Sequence, residues 1–241
     1  MQHLKIICPN GHLGFAPLRP ESFEIGVNAQ PDYIAADSGS DDVGPVPLGS
    51  DTSTSPEAWQ RGDLEKMLLA SRRLGVPMVI GSAGDTGSNS RVDRYVAIIK
   101  ELAQQHGLKK FKLGYFYSEV DKEALRAKMR AGNAVLGLDG FATLTESELD
   151  ATDRIVAMAG VHPYIELLRQ GADVIIGNPL STLPTTPGGG GADGDTGSVF
   201  IVDGWHNPEG TTPNFTIPEG GGVLTKATIL NDTDTLEESV D

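Results

Sequence analysis

A cluster of carboxylates directly follows a short apolar run near the start of the chain. Asp37, Asp41 and Asp42 fall within six residues. Carboxylates at this density bind hard divalent cations such as Mg²⁺, or raise one another's pKa so that one acts as a general acid or base. The same pattern fits a solvated acidic turn with local backbone hydrogen bonds. We predict Asp37 as a catalytic candidate and Asp41 and Asp42 as candidate Mg²⁺ ligands, with the acidic turn as the alternative.

A glycine-rich segment, residues 81–88, follows another apolar run and precedes a helical pattern. Glycines let backbone amides approach a ligand, and the positive end of a helix favours an anion. The candidate anion-binding residues are Gly84, Thr86, Gly87 and Ser88. Asp85 lies among them and is the second catalytic candidate. The segment lacks the lysine of a Walker loop, and the alternative is a turn that needs glycine only for its backbone angles.

The first apolar run ends in a loop that contains Cys8, Asn10 and His12. His12 is the third catalytic candidate, because an imidazole transfers protons near neutral pH; alternatively it contacts the substrate. Asn10 is a candidate for substrate binding. Cys8 closes the apolar run, and a cysteine in that position more often packs inertly than attacks a substrate. The spacing of Cys and His residues does not match a zinc site.

Short apolar runs alternate with amphipathic helical patterns through the first 177 residues. The runs occupy residues 4–8, 32–37, 77–80, 111–117 and 172–177. Because they are almost continuously apolar, they indicate strands that are buried on both faces. We predict an α/β fold with an open, mostly parallel sheet and helices on both faces, in Rossmann-like layering. The candidate loops would then share the carboxyl edge of the sheet, where such folds bind ligands.

Local signals mark where two of the helices begin. The Ser-Pro-Glu sequence at residues 55–57 predicts a helix start with Ser55 as its N-cap. Thr145 and Glu148 have the spacing of a capping box and predict a helix that runs towards Gly160. Both starts fit the alternation of strand and helix.

The sequence changes character after residue 177. Residues 178–241 hold ten acidic side chains against one lysine, Lys226, and so carry −9 of the net charge of −14. A stretch rich in Pro, Thr and Gly opens this tail, and no helical periodicity returns. We predict an α/β domain at 1–177. The tail at 178–241 is predicted to be irregular or β-poor, partly disordered or with short strands.

Bulk composition excludes several classes of partner. A net charge of −14 disfavours nucleic acid and anionic membrane surfaces, since both need clustered Lys and Arg. One cysteine excludes an intramolecular disulfide, and no apolar run reaches the ~18 residues of a membrane span. We expect a cytoplasmic protein that binds a small anionic metabolite. An oligomer or a partner subunit is left open.

Several segments of the chain resemble one known family. They are residues 6–15, 33–41, 81–85, 114–120 and 171–176, and include the sequences IICPNGHLGF, YIAADSGSD and GSAGD. Over about residues 4–177 the chain resembles the acyclic-terpene-utilisation (AtuA-type) family of bacterial proteins. The resemblance implies a cytosolic protein in the breakdown of terpenoids or related branched acids. It implies no particular catalytic residues, and in that family the α/β pattern continues where this chain has its acidic tail.

The sequence leaves two functions open. The first is an enzyme with lyase or hydratase chemistry on a small carboxylate or acyl-CoA metabolite. Its loop amides would hold the anionic group, and Asp37 or Asp85 would move the proton. The second is a non-catalytic ligand-binding subunit, or a truncated or degenerate fragment. The acidic loop beside the glycine-rich segment favours the enzyme, whereas the atypical tail favours the second function.

Overall fold

The computed structural model describes residues 4–39, 46–137, 142–157, 159–177, 226–232 and 235–238, the last two as backbone alone. The candidate Mg²⁺ ligands Asp41 and Asp42 lie outside the described residues, as does most of the acidic tail.

Five parallel strands form the centre of the fold. They are β1 (Ile6–Ile7), β2 (Tyr33–Asp37), β3 (Met78–Gly81), β4 (Leu113–Tyr117) and β5 (Val174–Ile176). Neighbouring strands lie in the order β1-β2-β3-β5-β4, so β5 inserts between two strands that precede it in the chain. Each strand overlaps one of the predicted apolar runs, with β3 extending one residue past its run to Gly81, and the predicted parallel sheet is confirmed.

Two strands from the acidic tail extend the sheet beyond β4. β6 (Lys226–Asp232) pairs antiparallel with β4, and β7 (Thr235–Glu238) pairs antiparallel with β6. The register places Thr228 of β6 opposite Tyr115 of β4. The sheet is therefore mostly parallel, and the described part of the tail contains short strands.

Helices connect the strands and cover the sheet. In chain order they are α1 (Pro20–Asn28), α2 (Val46–Ser50), α3 (Glu57–Leu74), α4 (Asn89–Gln105), α5 (Lys122–Arg130), α6 (Glu146–Ala151) and α7 (His162–Arg169). A 3₁₀ turn, Ala83–Asp85, lies between β3 and α4. The glycine-rich segment is therefore a strand-to-helix connection, as the sequence predicts.

One helix is shorter than its sequence indicates. The capping box of α6 forms as predicted, but the helix ends at Ala151 instead of running towards Gly160. Beyond that point the backbone of Ile155 and Ala157 hydrogen-bonds to residues 118–120, which follow β4. These bonds hold the chain in an extended conformation and so end the helix.

Alternate residues of the central strands face opposite sides of the sheet. Ile34 and Ile80 are buried on the side that α1, α3 and α4 cover. Ala35 and Val79 are buried on the other side, against α7. Burying one large aliphatic side chain stabilises a fold by about 1.5–3 kcal/mol, so both layers contribute to stability. The predicted helices on both faces are confirmed.

Candidate functional site

The loops after β1, β2 and β3 leave the same edge of the sheet and are joined by backbone hydrogen bonds. Leu13 N donates to Asp37 O at 3.0 Å, and Asp85 N donates to Ser38 O at 3.1 Å. This arrangement follows from three neighbouring parallel strands, whose carboxyl ends meet at one edge. The structure thus brings the predicted catalytic residues His12, Asp37 and Asp85 into one cluster.

His12 and Asp85 lie side by side at the centre of this cluster. His12 Nε2 lies 2.8 Å from Asp85 Oδ1, and the Asp85 side chain is fully buried. The other oxygen, Oδ2, accepts hydrogen bonds from Ser53 Oγ, Thr54 N and Thr54 Oγ1, each at 2.8 Å. A carboxylate with so many donors is fixed in position, and it fixes the imidazole in turn.

Hydrogen bonding decides the ionisation of Asp85. Burial acts to raise the pKa of Asp85, but bonds from His12, Thr54 and Ser53 outweigh it and hold the pKa below the usual range. Asp85 is therefore ionised at neutral pH. A buried carboxylate beside an imidazole selects its tautomer and stabilises the imidazolium that forms when the ring takes a proton.

The rest of the His12 ring has a partly open environment. Its Nε2 is also 3.4 Å from Ser55 Oγ, and its ring stacks on exposed Phe15 with 5.3 Å between centroids. The His12 side chain is 14% exposed. Within the described residues Nδ1 has no hydrogen-bond partner, so it is the ring nitrogen left for a ligand.

Asp37 has the opposite electrostatic character to Asp85. Its Oδ1 accepts hydrogen bonds from Ser38 N at 2.7 Å and from Gly39 N at 3.1 Å, and the residue is 8% exposed. Burial raises the pKa of Asp37, and bonds from Ser82, Gly39 and Ser38 offset this only in part. Two carboxyl groups with pKa values pushed apart are a common arrangement for an acid and a base.

The backbone of the glycine-rich segment is strained. Four of its residues have left-handed φ angles: Ser82 (49°), Gly84 (69°), Asp85 (73°) and Gly87 (69°). The left-handed region costs an ordinary residue roughly 1–2 kcal/mol, and such residues persist where surrounding contacts fix them, often at functional sites. At Asp85 the fixing contacts are the bonds from residues 53–54 and from His12.

The predicted anion-binding groups of this segment are used within the protein. Ser88 N donates to Thr86 Oγ1 at 3.1 Å, and Ser88 Oγ donates to Asp51 Oδ1 at 3.1 Å. Asn89 N, at the start of α4, donates to Glu119 Oε1 at 2.8 Å. The helix dipole attracts these protein carboxylates as it would attract a ligand. A ligand has to displace Asp51 to reach Ser88 Oγ, and Glu119 to reach Asn89 N.

Asn10 organises its own loop. Its side-chain amide donates to Ala16 O at 2.9 Å and to Asp63 Oδ2 at 3.2 Å, and its Oδ1 accepts from His12 N. Fully buried Asp63 also accepts from Leu18 N at 2.8 Å. The structure therefore places Asn10 behind His12, where it positions the loop.

Residues 53–55 and Asp63 complete the cluster, and the sequence predictions missed their roles. Ser55 was predicted to cap α3, but that helix begins at Glu57 with no side-chain cap, and the Ser55 hydroxyl faces His12. The available signals were a hydroxyl-rich run before α3 and a carboxylate on the buried face of that helix.

A cleft adjoins the His12–Asp85 pair and shares Ser53 and Ser55 with it. The cleft has a volume of about 320 Å³ and lies between residues 51–60 and the first turns of α4. It is lined by Asp51, Thr52, Ser53, Ser55, Glu57, Gln60, Gly84, Arg91, Arg94 and Tyr95. Tyr95 is buried at its base and hydrogen-bonds to Ser38.

The described residues contain neither a metal-ligand cluster nor a membrane-spanning helix. No group of three or more His, Cys, Asp or Glu there is placed to hold a metal ion. None of the helices in that part of the chain has the length and apolar character needed to cross a bilayer.

Compared with known proteins, the chain matches no family model, no curated protein and no solved structure.

Proposed function

We propose that this protein is an enzyme that transfers a proton to or from a small carboxylate metabolite, in lyase or hydratase chemistry. The observation that carries the proposal is the pairing of His12 Nε2 with the fully buried Asp85 carboxylate at 2.8 Å. His12 is the general acid or base, and Asp85 orients it and stabilises its protonated form. Nδ1 is the nitrogen that exchanges a proton with the ligand.

The chemistry of addition and elimination requires a second group that handles the other proton. Asp37 fits this role, because burial raises its pKa while that of Asp85 is lowered. A carboxyl group that keeps its proton to higher pH donates it more readily to a leaving hydroxyl. The loops that carry Asp37 and Asp85 are hydrogen-bonded to each other.

The cleft favours a small substrate. Its volume of about 320 Å³ is at the low end of the range for ligand pockets. A compact carboxylate fits such a space, whereas a CoA ester would leave its nucleotide outside. Resemblance to the AtuA-type family supports a branched acid from terpenoid breakdown as the substrate class. Mg²⁺, held by Asp41 and Asp42, is part of the proposal as an optional cofactor.

Proton exchange tests the proposal directly. The full-length chain is incubated in D₂O with branched saturated and α,β-unsaturated acids and their CoA esters, with and without Mg²⁺, and deuterium incorporation and water addition are followed by NMR. We expect His12→Gln and Asp85→Asn to lower the rate by about 10²–10⁴-fold.

The control is another histidine–carboxylate pair, on the surface. His106 Nε2 lies 2.5 Å from Glu65 Oε1, and both side chains are about one third exposed. His106→Gln should leave the rate unchanged. Equal rates for wild type and His12→Gln on every substrate that reacts would refute the role of His12.

A second function is favoured by one observation: three hydrogen bonds from residues 53–54 hold Asp85 Oδ2 inside the protein, as in a purely structural network. On this alternative the chain is a non-catalytic ligand-binding subunit. Binding of the same acids without any turnover, unaffected by His12→Gln, would support it over the enzyme.

A further inference from the structure

The cleft contains an arginine, Arg91, with a buried nitrogen that none of the described residues hydrogen-bonds. Arg91 Nε is buried and has no hydrogen-bond partner among the described residues. Its nearest carboxylate oxygen, Asp51 Oδ1, is 3.6 Å away, beyond normal hydrogen-bond distance. A buried guanidinium donor without an acceptor is destabilising, so the site favours the arrival of one.

Arg94, the other arginine of the cleft, is already paired. Its Nε and Nη2 donate to the two oxygens of Glu57 at 2.7 and 2.5 Å, and its Nη1 lies 3.5 Å from Glu101. This is the fork-to-fork arrangement that satisfies both partners. Arg91 is therefore the arginine of the cleft that is left to bind a ligand.

The glycine-rich segment holds Arg91 in place. Gly84 packs so closely under the arginine that a Cβ at this position would lie 2.9 Å from Arg91 Cδ. The absence of a side chain at Gly84 thus makes room for the aliphatic part of Arg91, and both residues line the cleft. The segment therefore positions a neighbouring side chain that carries a positive charge.

Asp51 occupies the position opposite Arg91. Its Oδ1 accepts from Ser90 Oγ at 2.6 Å and from Ser88 Oγ at 3.1 Å, and its Oδ2 lies 3.6 Å from Arg154 Nη2. Asp51 lines the cleft and has a left-handed φ of 52°. It is the protein's own oxyanion, held beside Arg91 without bonding to Nε.

We propose that Arg91 binds an oxyanion of the ligand in this cleft, and that Asp51 competes with that oxyanion. The inference rests on the proposed function and locates the anionic group of its substrate. A carboxylate or a phosphate provides the planar or tetrahedral oxygens that accept hydrogen bonds from a guanidinium fork. The size of the cleft favours the carboxylate.

Calorimetric titration of the full-length chain with succinate and with inorganic phosphate tests the inference. Arg91→Gln should weaken binding by about 10- to 100-fold, because it removes a charge-assisted contact. Asp51→Asn should strengthen binding by about tenfold, because it removes the competing charge while keeping a residue that tolerates a left-handed backbone. Arg61→Gln removes a positive charge outside the cleft and is the matched control.

Both variants are needed because they act in opposite directions. A misfolded protein cannot bind more tightly, so a gain in Asp51→Asn does not depend on the stability of Arg91→Gln. Tighter binding of succinate than of phosphate identifies a carboxylate substrate, and the reverse identifies a phosphate-bearing one. Unchanged affinity in both variants, or no binding of either probe to wild type and Asp51→Asn, would overturn the inference.

The outcome is separable from that of the proposed function. If Arg91→Gln loses binding while His12→Gln reacts normally, the oxyanion site stands and the catalytic proposal falls. If Arg91→Gln binds normally while His12→Gln loses activity, the catalytic proposal stands and the site assigned to Arg91 falls.

Discussion

Replacement of Asp85 by Asn removes a buried negative charge but keeps the shape of the side chain. In the native protein Oδ2 accepts three hydrogen bonds and Oδ1 pairs with His12. The amide oxygen of Asn can take the position of Oδ2 and keep its three donors. The amide nitrogen then faces His12 Nε2, which has to become the acceptor, so the ring proton moves to Nδ1.

The expected loss of stability follows from the charge. A hydrogen bond to a charged acceptor contributes about 1.5–3 kcal/mol and a neutral one about 0.5–1.5 kcal/mol. Bonds that share one oxygen do not add fully, so we expect Asp85→Asn to lose about 2–3 kcal/mol at pH 7. The pKa of Asp85 is lowered in the folded state, so its charge stabilises the fold above the unfolded pKa of about 3.9.

That contribution disappears as the pH falls through the folded pKa. Urea unfolding of wild type and Asp85→Asn from pH 7 down to about pH 3 measures this, and the two curves should converge at the acidic end. The control is Glu24→Gln, since the exposed ion pair between Glu24 and Arg73 should contribute less than about 1 kcal/mol. Equal stability at pH 7, or a deficit that does not shrink with acid, would refute the reasoning.

Three further outcomes are expected from the same unfolding measurements. Gly84→Ala should lower the free energy of unfolding by about 1–3 kcal/mol more than Gly75→Ala does. Both glycines have φ near 70°, but only at Gly84 would a Cβ contact Arg91. Equal losses in the two variants would contradict this. Asp37→Asn should be at least as stable as wild type at pH 7, since burial raises the pKa of Asp37 and folding therefore becomes less favourable as pH rises through that value. Any gain in the stability of Asp37→Asn over wild type should vanish below about pH 4. A clear loss of stability in this variant at pH 7 would show that the charge of Asp37 is stabilising. Deletion of residues 178–241 should preserve cooperative unfolding, because both described core clusters come from residues 6–176; a broad transition would show that β6 and β7 are needed.

The strands were predictable because each is an apolar run bounded by glycine or polar residues. Burial on both faces requires this pattern, so the positions of β2 and β3 follow from the sequence. The strand order did not follow, since apolar runs contain no information about which neighbour each will take. The early end of α6 depends on hydrogen bonds to residues 118–120, which are distant in sequence.

The composition of the site was only partly predictable. The convergence of His12, Asp37 and Asp85 follows from the common edge of parallel strands. The pairing of His12 with Asp85 does not follow from the sequence, because this contact depends on the left-handed backbone at Asp85. The donors at residues 53–54 were missed since they lie 31 or more residues from Asp85 and carry no motif.

The insertion of β5 between β3 and β4 has a consequence for synthesis of the protein. A nascent chain emerges N-terminus first. The edges of β3 and β4 that β5 will occupy therefore have no partner strand until residues 174–176 leave the ribosome. The next residue, Gly177, then forms two backbone hydrogen bonds at the carboxyl end of β3. Gly177 O accepts from Ala83 N at 3.0 Å, and Gly177 N donates to Ile80 O at 2.9 Å. The turn that carries Asp85 is therefore secured only after the fifth parallel strand docks, and a chain that stops earlier leaves that turn without these bonds.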